Sequence, residues 1–363
     1  MLQEKLGDLW EAQGHHAAAI SAFESAASGL GDGDPIGRAR LQRKIGGSRQ
    51  TARQLPEALS AFDHAGTLLH GAPAPNTEAW WLEWVQLQLD RAWALYFSHR
   101  VVELGNHLAE VRERIEPHGT PAQQAAYHAC VSLYGMRRDG GHPGDDVLAS
   151  ARTALIMGRR AGDLRQLASH HFNLGLVRFL RRELVRAEKE IERSLSLADR
   201  TGDGTVRMRC VTYLPVVARL AGDVERTAEL AGRALEEARD VGAVDYVGAA
   251  LGNLAWVALR RGRPEETLRL GNEAWVAWES VPYRYPLRWL AVFPMLAVAA
   301  GRKDWATVVR WLRTLVEHDQ YGLDRRVEAL IPAVVARSME RGETDARDGL
   351  AELLSMARTA GYA

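Results

Sequence analysis

A small residue returns along this chain at a nearly constant step. It stands at Gly7, Gly46, Ala92, Gly135, Gly175, Pro215, Ala255, Pro294 and Pro332. The successive separations are 39, 46, 43, 40, 40, 40, 39 and 38 residues. Self-similarity at a period of this size marks a repeat architecture. A unit of two short helices cannot bury its apolar stripe alone, so it stacks on copies of itself. That frees a chain of 363 residues from having to divide into two or three globular domains. We expect one array over 1–363, less regular at 77–160 and 325–363.

The first copy states the pattern most fully: Leu6-Gly7, Trp10, Gly14, Ala19, Phe23 and Ala26. The second keeps Ala58, Phe62 and Ala65, and the fifth keeps Leu174, Ala187 and Ile191. Later copies keep glycines for the turn at Gly222, Gly262 and Gly301. A small residue on the first helix lets the second approach closely, and a large residue there fills the gap. These residues and spacings resemble the tetratricopeptide repeat family, although the step exceeds its usual ~34 residues. The resemblance implies an all-α, right-handed superhelical solenoid of about nine antiparallel hairpins. Pro215, Pro294 and Pro332 replace the small residue and predict irregular helices there. Gly29–Gly37, Gly71–Asn76 and Gly140–Asp145 read as loops.

Composition excludes several classes of function. Lys+Arg and Asp+Glu both total 46, so no basic excess exists to engage phosphates, and no nucleic-acid partner is expected. The basic residues are nearly all arginine, with lysine only at positions 5, 44, 189 and 303. That bias fits either a GC-rich genome or selection for a carboxylate-gripping fork. Two cysteines, Cys130 and Cys210, without CxxC spacing argue for a reducing compartment. The apolar stretch from Trp289 to Ala300 is too short to span a bilayer, and Met1–Lys5 leads straight into an amphipathic helix. We expect a cytoplasmic protein with no membrane partner.

Chemistry is sparse. The pairs His15-His16 and His170-His171 point to different helix faces and cannot chelate well. Asp32-Gly33-Asp34 begins like a calcium loop, but a loop counted from Asp32 ends on Arg43. Nucleophile elbows and kinase motifs are missing. We expect no enzyme, no cofactor and no metal.

The resemblance implies a groove lined by exposed side chains of the first helices. Mapped onto this sequence, it is built from Trp93, Tyr96, Asn173, Leu176, Phe179, Arg209, Arg219, Asn253, Trp256, Arg260 and Arg288. In peptide-binding members an asparagine at the place of Asn173 and Asn253 bonds the ligand backbone, donating and accepting at once. Each could instead stabilise its own helix pair. Trp256 and Arg260 suit an aromatic or acidic anchor. The clusters Trp80, Trp81, Trp84, Trp93 and Trp275, Trp278, Tyr283, Tyr285, Trp289, Trp305, Trp311 read mostly as core between repeats. The carboxylate clamp of chaperone-binding members is not matched, since Lys5, Arg40 and Arg43 fall in the wrong order.

Similar arrays follow nucleotide-hydrolysing STAND/AAA-type domains in bacterial regulators. The expected function is therefore a protein- or peptide-binding sensor array, either a piece of such a regulator or a product made of repeats alone. Two alternatives stand beside it. One is small-molecule sensing by Trp93, Tyr96, Phe97, Phe172 and Phe179. The other is self-association through a terminal repeat, whose polarity comes from Arg337, Glu340 and Arg341.

Overall fold

The computed structural model describes residues 2–31, 33–72, 77–316, 321–340 and 343–363, with the side chains of 338–348 excepted. Asp32, 73–76 and Arg341 lie outside the described residues, as does the Glu340 side chain. Among the described residues there are 18 α-helices and no strands.

Paired in order, the helices are α1 (Leu2–Ala12) with α2 (His16–Ser28), α3 (Pro35–Thr51) with α4 (Leu55–His70), and α5 (Glu78–Phe97) with α6 (Val101–His118). Next come α7 (Pro121–Arg138) with α8 (Asp145–Ala161), α9 (Leu164–Leu180) with α10 (Leu184–Thr201), and α11 (Gly204–Leu220) with α12 (Val224–Asp240). The last are α13 (Val244–Arg260) with α14 (Pro264–Glu279), α15 (Trp289–Gly301) with α16 (Trp305–Val316), and α17 (Arg325–Glu340) with α18 (Glu343–Thr359). Every marker residue of the repeat falls on an odd-numbered helix. All pairs pack closely except α7 with α8, in the stretch where the sequence pattern is weakest.

Two compact units result: residues 1–138 with 149–163, and residues 139–148 with 164–363. Within the first, α3 touches α5 and α5 touches α7; within the second, α9, α11, α13 and α15 touch in succession. Thus α3, α5 and α7 form a row in the first unit, and α9, α11, α13 and α15 form one in the second.

Local chemistry sets the helix boundaries. Asp34, Asp203 and Asp223 each accept a backbone N–H three residues on, capping α3, α11 and α12. Left-handed residues make the turns. Gly14, Gly222 and Gly262 each stand two residues beyond the first helix of a pair, with positive φ. Arg53, His99, Arg182 and Lys303 occupy the same place with φ of 65°, 56°, 62° and 60°. Gly301, expected as a turn glycine, is instead the last residue of α15, and Lys303 takes the turn. α11, α15 and α17 run unbroken through Pro215, Pro294 and Pro332.

The small-to-large packing of the repeat is literal. A Cβ on Gly7 would strike the Phe23 ring, one on Gly46 the Phe62 ring, and one on Gly175 would lie 2.7 Å from Ile191 Cγ1. Phe23 and Phe62 are fully buried. Gly46→Ala therefore costs about 1–3 kcal/mol, as expected for overpacking without room to relax. Shortening the opposing ring with Phe62→Leu should recover part of that loss. A double-mutant cycle by urea unfolding reads this as a coupling of roughly 0.5 kcal/mol or more.

Candidate functional site

Most of the expected groove residues stand on first helices, but they are not exposed. Arg219, Asn253, Trp256 and Phe179 are at most 1% exposed, and Leu176, Asn173 and Arg288 are also buried. Arg209 is half-buried, and only Arg260 is exposed. The expected exposure of these side chains is not found for two reasons: consecutive first helices press on one another, and the Gly361–Tyr362 segment covers Arg219.

Asn253 donates through its amide nitrogen to Ala249 O at 3.0 Å, on its own helix. Its Oδ1, like that of Asn173, has no partner among the described residues. Asn253 thus spends its donor on its own α13 and keeps an unused acceptor.

Arg219, near the end of α11, organises the second unit. Its Nε donates to Gly361 O at 3.1 Å and its Nη2 to Tyr362 O at 2.7 Å. Its Nη1 donates to Gly252 O at 3.3 Å and Leu290 O at 2.8 Å. The guanidinium also stands 5.6 Å from the Trp256 ring and 5.1 Å from that of Trp289. No ion pair to it occurs among the described residues. Burial pushes its affinity for a proton well below the usual arginine range.

The segment that Arg219 grips leaves α18 through a left-handed glycine. Gly361 has φ of 80°, its N–H reaches Arg358 O, and the Tyr362 N–H reaches Ala357 O at 2.7 Å. This pairing is a Schellman helix end. A Cβ on Gly361 would meet Arg219 O and the Leu220 Cα, each at 3.0 Å, so only glycine fits.

Tyr362 is completely buried. Its ring lies edge-on to Trp289 at 4.8 Å and stacks on Phe293 at 5.4 Å. Arg182 covers it at 5.1 Å. Its hydroxyl accepts from Asp324 N at 2.7 Å and donates to Gly322 O at 3.1 Å. Arg182 also donates to Gly322 O at 2.8 Å, and burial brings its pKa down to about 10. Phe179 packs under Gly322.

The remaining expected residues fall elsewhere. Arg260 lies over Trp256 at 5.8 Å and Arg209 over Phe172 at 4.0 Å. Arg288 pairs with Glu279 at 3.1 Å and covers Trp275 at 4.8 Å. Trp93 and Tyr96 belong to the first unit, where they pack with Phe97, and Arg137 stands 3.5 Å from the Tyr96 ring. Of the five rings proposed to enclose a small molecule, Trp93, Tyr96 and Phe97 belong to the first unit, and Phe172 and Phe179 are core of the second.

Sequence reading missed Arg182, Phe293, Gly322 and the pair Gly361-Tyr362, and counted Trp289 only as core. One signal was readable: a glycine just past a helix, followed by an apolar residue, marks a helix end with a buried anchor.

Among the described residues, no group of three or more His, Cys, Asp or Glu could hold a metal ion, and no helix is long and apolar enough to cross a membrane. Burial pushes the Cys130 thiol up to about 12 and the Cys210 thiol up to about 11. Both should stay unreactive toward Ellman's reagent at pH 8 in the folded chain, and both should react within minutes in 6 M guanidinium.

The geometry can be set beside known proteins. No protein-family model matches the chain, and no curated protein matches it. Solved structures do. The apo form of RapI matches at TM-score 0.61 and 13% identity, over 88% of this chain and 87% of that one. NprR in complex with its cognate peptide NprX matches at 0.57 and 13%, over 85% and 89%. A STAND protein with a tetratricopeptide repeat sensor, PH0952 from Pyrococcus horikoshii, matches at 0.55 and 14%, over 82% of this chain and 49% of that one. The fold is a tetratricopeptide-like helical solenoid. At these identities the tetratricopeptide likeness is one of fold, and it accounts for the hairpin order, the marker column and the row of first helices.

Proposed function

We propose that this chain is a sensor array that binds a segment of polypeptide along the first helices of its second unit. The observation that carries the reading is the grip of Arg219 on Gly361 and Tyr362. A buried arginine there holds two successive main-chain carbonyls that no helix uses, which is how a groove holds an extended peptide. The likeness to NprR, solved with its cognate peptide, supports the same reading. So does the STAND protein whose repeats are described as a sensor. The partner is another protein or a peptide from it, and the output is a change in how this chain engages the rest of a regulator. Neither nucleic acid nor membrane is required by this reading.

A random twelve-residue peptide library tests it. Selection on the intact chain should converge on one motif. Binding of the selected peptide should fall about tenfold in the double variant Arg209→Ala/Arg260→Ala, about 1.4 kcal/mol, with unchanged helical circular dichroism. Failure of the selection to converge, or equal binding by the variant, would count against this surface.

A further inference from the structure

The occupant of the Arg219 site does not match the site electrically. Two guanidiniums, Arg219 and Arg182, meet the Gly361–Tyr362 segment, and what they meet there is neutral: two peptide carbonyls and a phenol ring. No carboxylate reaches Arg219 among the described residues. The carboxylate nearest in effect to Arg182 is that of Asp324, whose Oδ1 caps the Arg326 N–H at 2.9 Å instead. Burial without a counter-charge is the costliest state for a cation. A negative group in the same place would form charge-assisted hydrogen bonds where solvent does not screen them.

The geometry of the fork points the same way. The Nε and Nη2 edge of a guanidinium takes both oxygens of one carboxylate. In Arg219 that edge is filled by two separate carbonyl oxygens, at 3.1 and 2.7 Å. Beside it the ring cavity is walled by Trp289, Phe293 and Arg182. These walls come from α15 and the α9–α10 turn, while Arg219 comes from α11 and Gly252 from α13. The segment thus lies across the row of first helices on which the peptide-binding reading depends.

We propose that the Tyr362 cavity is a ligand site in which Gly361–Tyr362 is a displaceable stand-in, and that its ligand is an extended peptide presenting an aromatic side chain with a carboxylate beside it. This rests on the peptide-binding reading above and specifies what is bound and what must leave. The segment competes from within the chain, at an effective concentration that a free ligand must overcome. Its release takes two hydrogen bonds from Arg219, and the incoming carboxylate replaces both. The carboxylate can be the ligand's own terminus or an acidic side chain next to the aromatic residue.

Three synthetic probes separate these arms: acetyl-Ala-Gly-Tyr with a free carboxylate, the same peptide as its amide, and acetyl-Ala-Asp-Tyr-amide. Each is titrated by tryptophan fluorescence into the wild-type chain and into Tyr362→Ala. We expect an acidic probe to bind Tyr362→Ala at least tenfold more tightly than wild type, and at least tenfold more tightly than the neutral amide binds the same variant. Whichever acidic probe shows the preference identifies the source of the carboxylate. Adding Arg219→Gln should abolish the preference. Equal binding of acid and amide overturns the proposal, as does equal binding by wild type and Tyr362→Ala.

Should Tyr362→Ala fail to fold, hydrogen exchange on the wild-type chain decides instead. The acidic probe must speed exchange of the Tyr362 N–H while the amides of α11 and α13 stay protected, and no change overturns the idea. A library-selected peptide that binds wild type and Tyr362→Ala equally would leave the peptide-binding reading standing and remove this one.

Discussion

Trp289→Ala should be the most damaging single truncation in the second unit, costing about 3–5 kcal/mol in the manner of a large aromatic removed from a core. The indole is completely buried. Its Nε1 donates to Tyr321 O at 2.7 Å, which ties the start of α15 to the stretch before α17. One face receives Arg219 and an edge contact joins it to Tyr362. Truncation opens a cavity, strips a donor from Tyr321 and takes an aromatic wall from a buried cation. The repeat architecture shapes the readout. Neighbour-coupled units unfold in segments when one interface is weakened. Urea unfolding followed by circular dichroism should therefore split into two transitions, with the earlier one carrying the loss. A single transition displaced by less than about 1 kcal/mol would show that the wall is dispensable.

Gly252→Val should come close behind, by the opposite mechanism. Gly252 is where α13 lies against α15: a Cβ there would stand 2.9 Å from Leu290 Cβ and 3.2 Å from Ala291 N. Part of that obstacle is backbone, so no rotamer change relieves it. The helices must separate, and overpacking of this kind costs roughly 1–3 kcal/mol or more. Separation also moves the Gly252 and Leu290 carbonyls, both of which Arg219 holds. The variant should lose thermal stability and, in the same sample, expose Tyr362 to faster hydrogen exchange. Gly232, where an added Cβ would meet nothing within 4 Å, is the control, and Gly232→Ala should be neutral or slightly stabilising.

The repeat was legible because its signal is physical at each copy. Gly7 against Phe23 and Gly46 against Phe62 are pairs that packing imposes on residue type, so they recur at readable spacing. The column assignment placed every marker on a first helix. Pro215, Pro294 and Pro332 would break isolated helices, whereas in the array each lies inside an α-helix that its neighbours support. The site was half legible. Arg219 and Trp256 come from the column, but their burial does not, because exposure depends on what covers a face. The cover is Tyr362, 143 residues after Arg219 in sequence. No local pattern ties two such positions together; only the Gly361 helix end hinted that the next residue was anchored.

The left-handed turn column gives the molecule its own set of matched controls. Arg53, His99, Arg182 and Lys303 share one backbone conformation at one place in the repeat, and in each a side chain bears a strain that glycine would not. Glycine at Lys303 should stabilise by about 1 kcal/mol or less, since relief of strain is partly offset by a freer unfolded chain. The same change at Arg182 gives identical relief and also deletes the cation over Tyr362. Subtracting one from the other isolates a side chain's service to the pocket from the cost of its own backbone. The repetition that builds the array thereby also calibrates it.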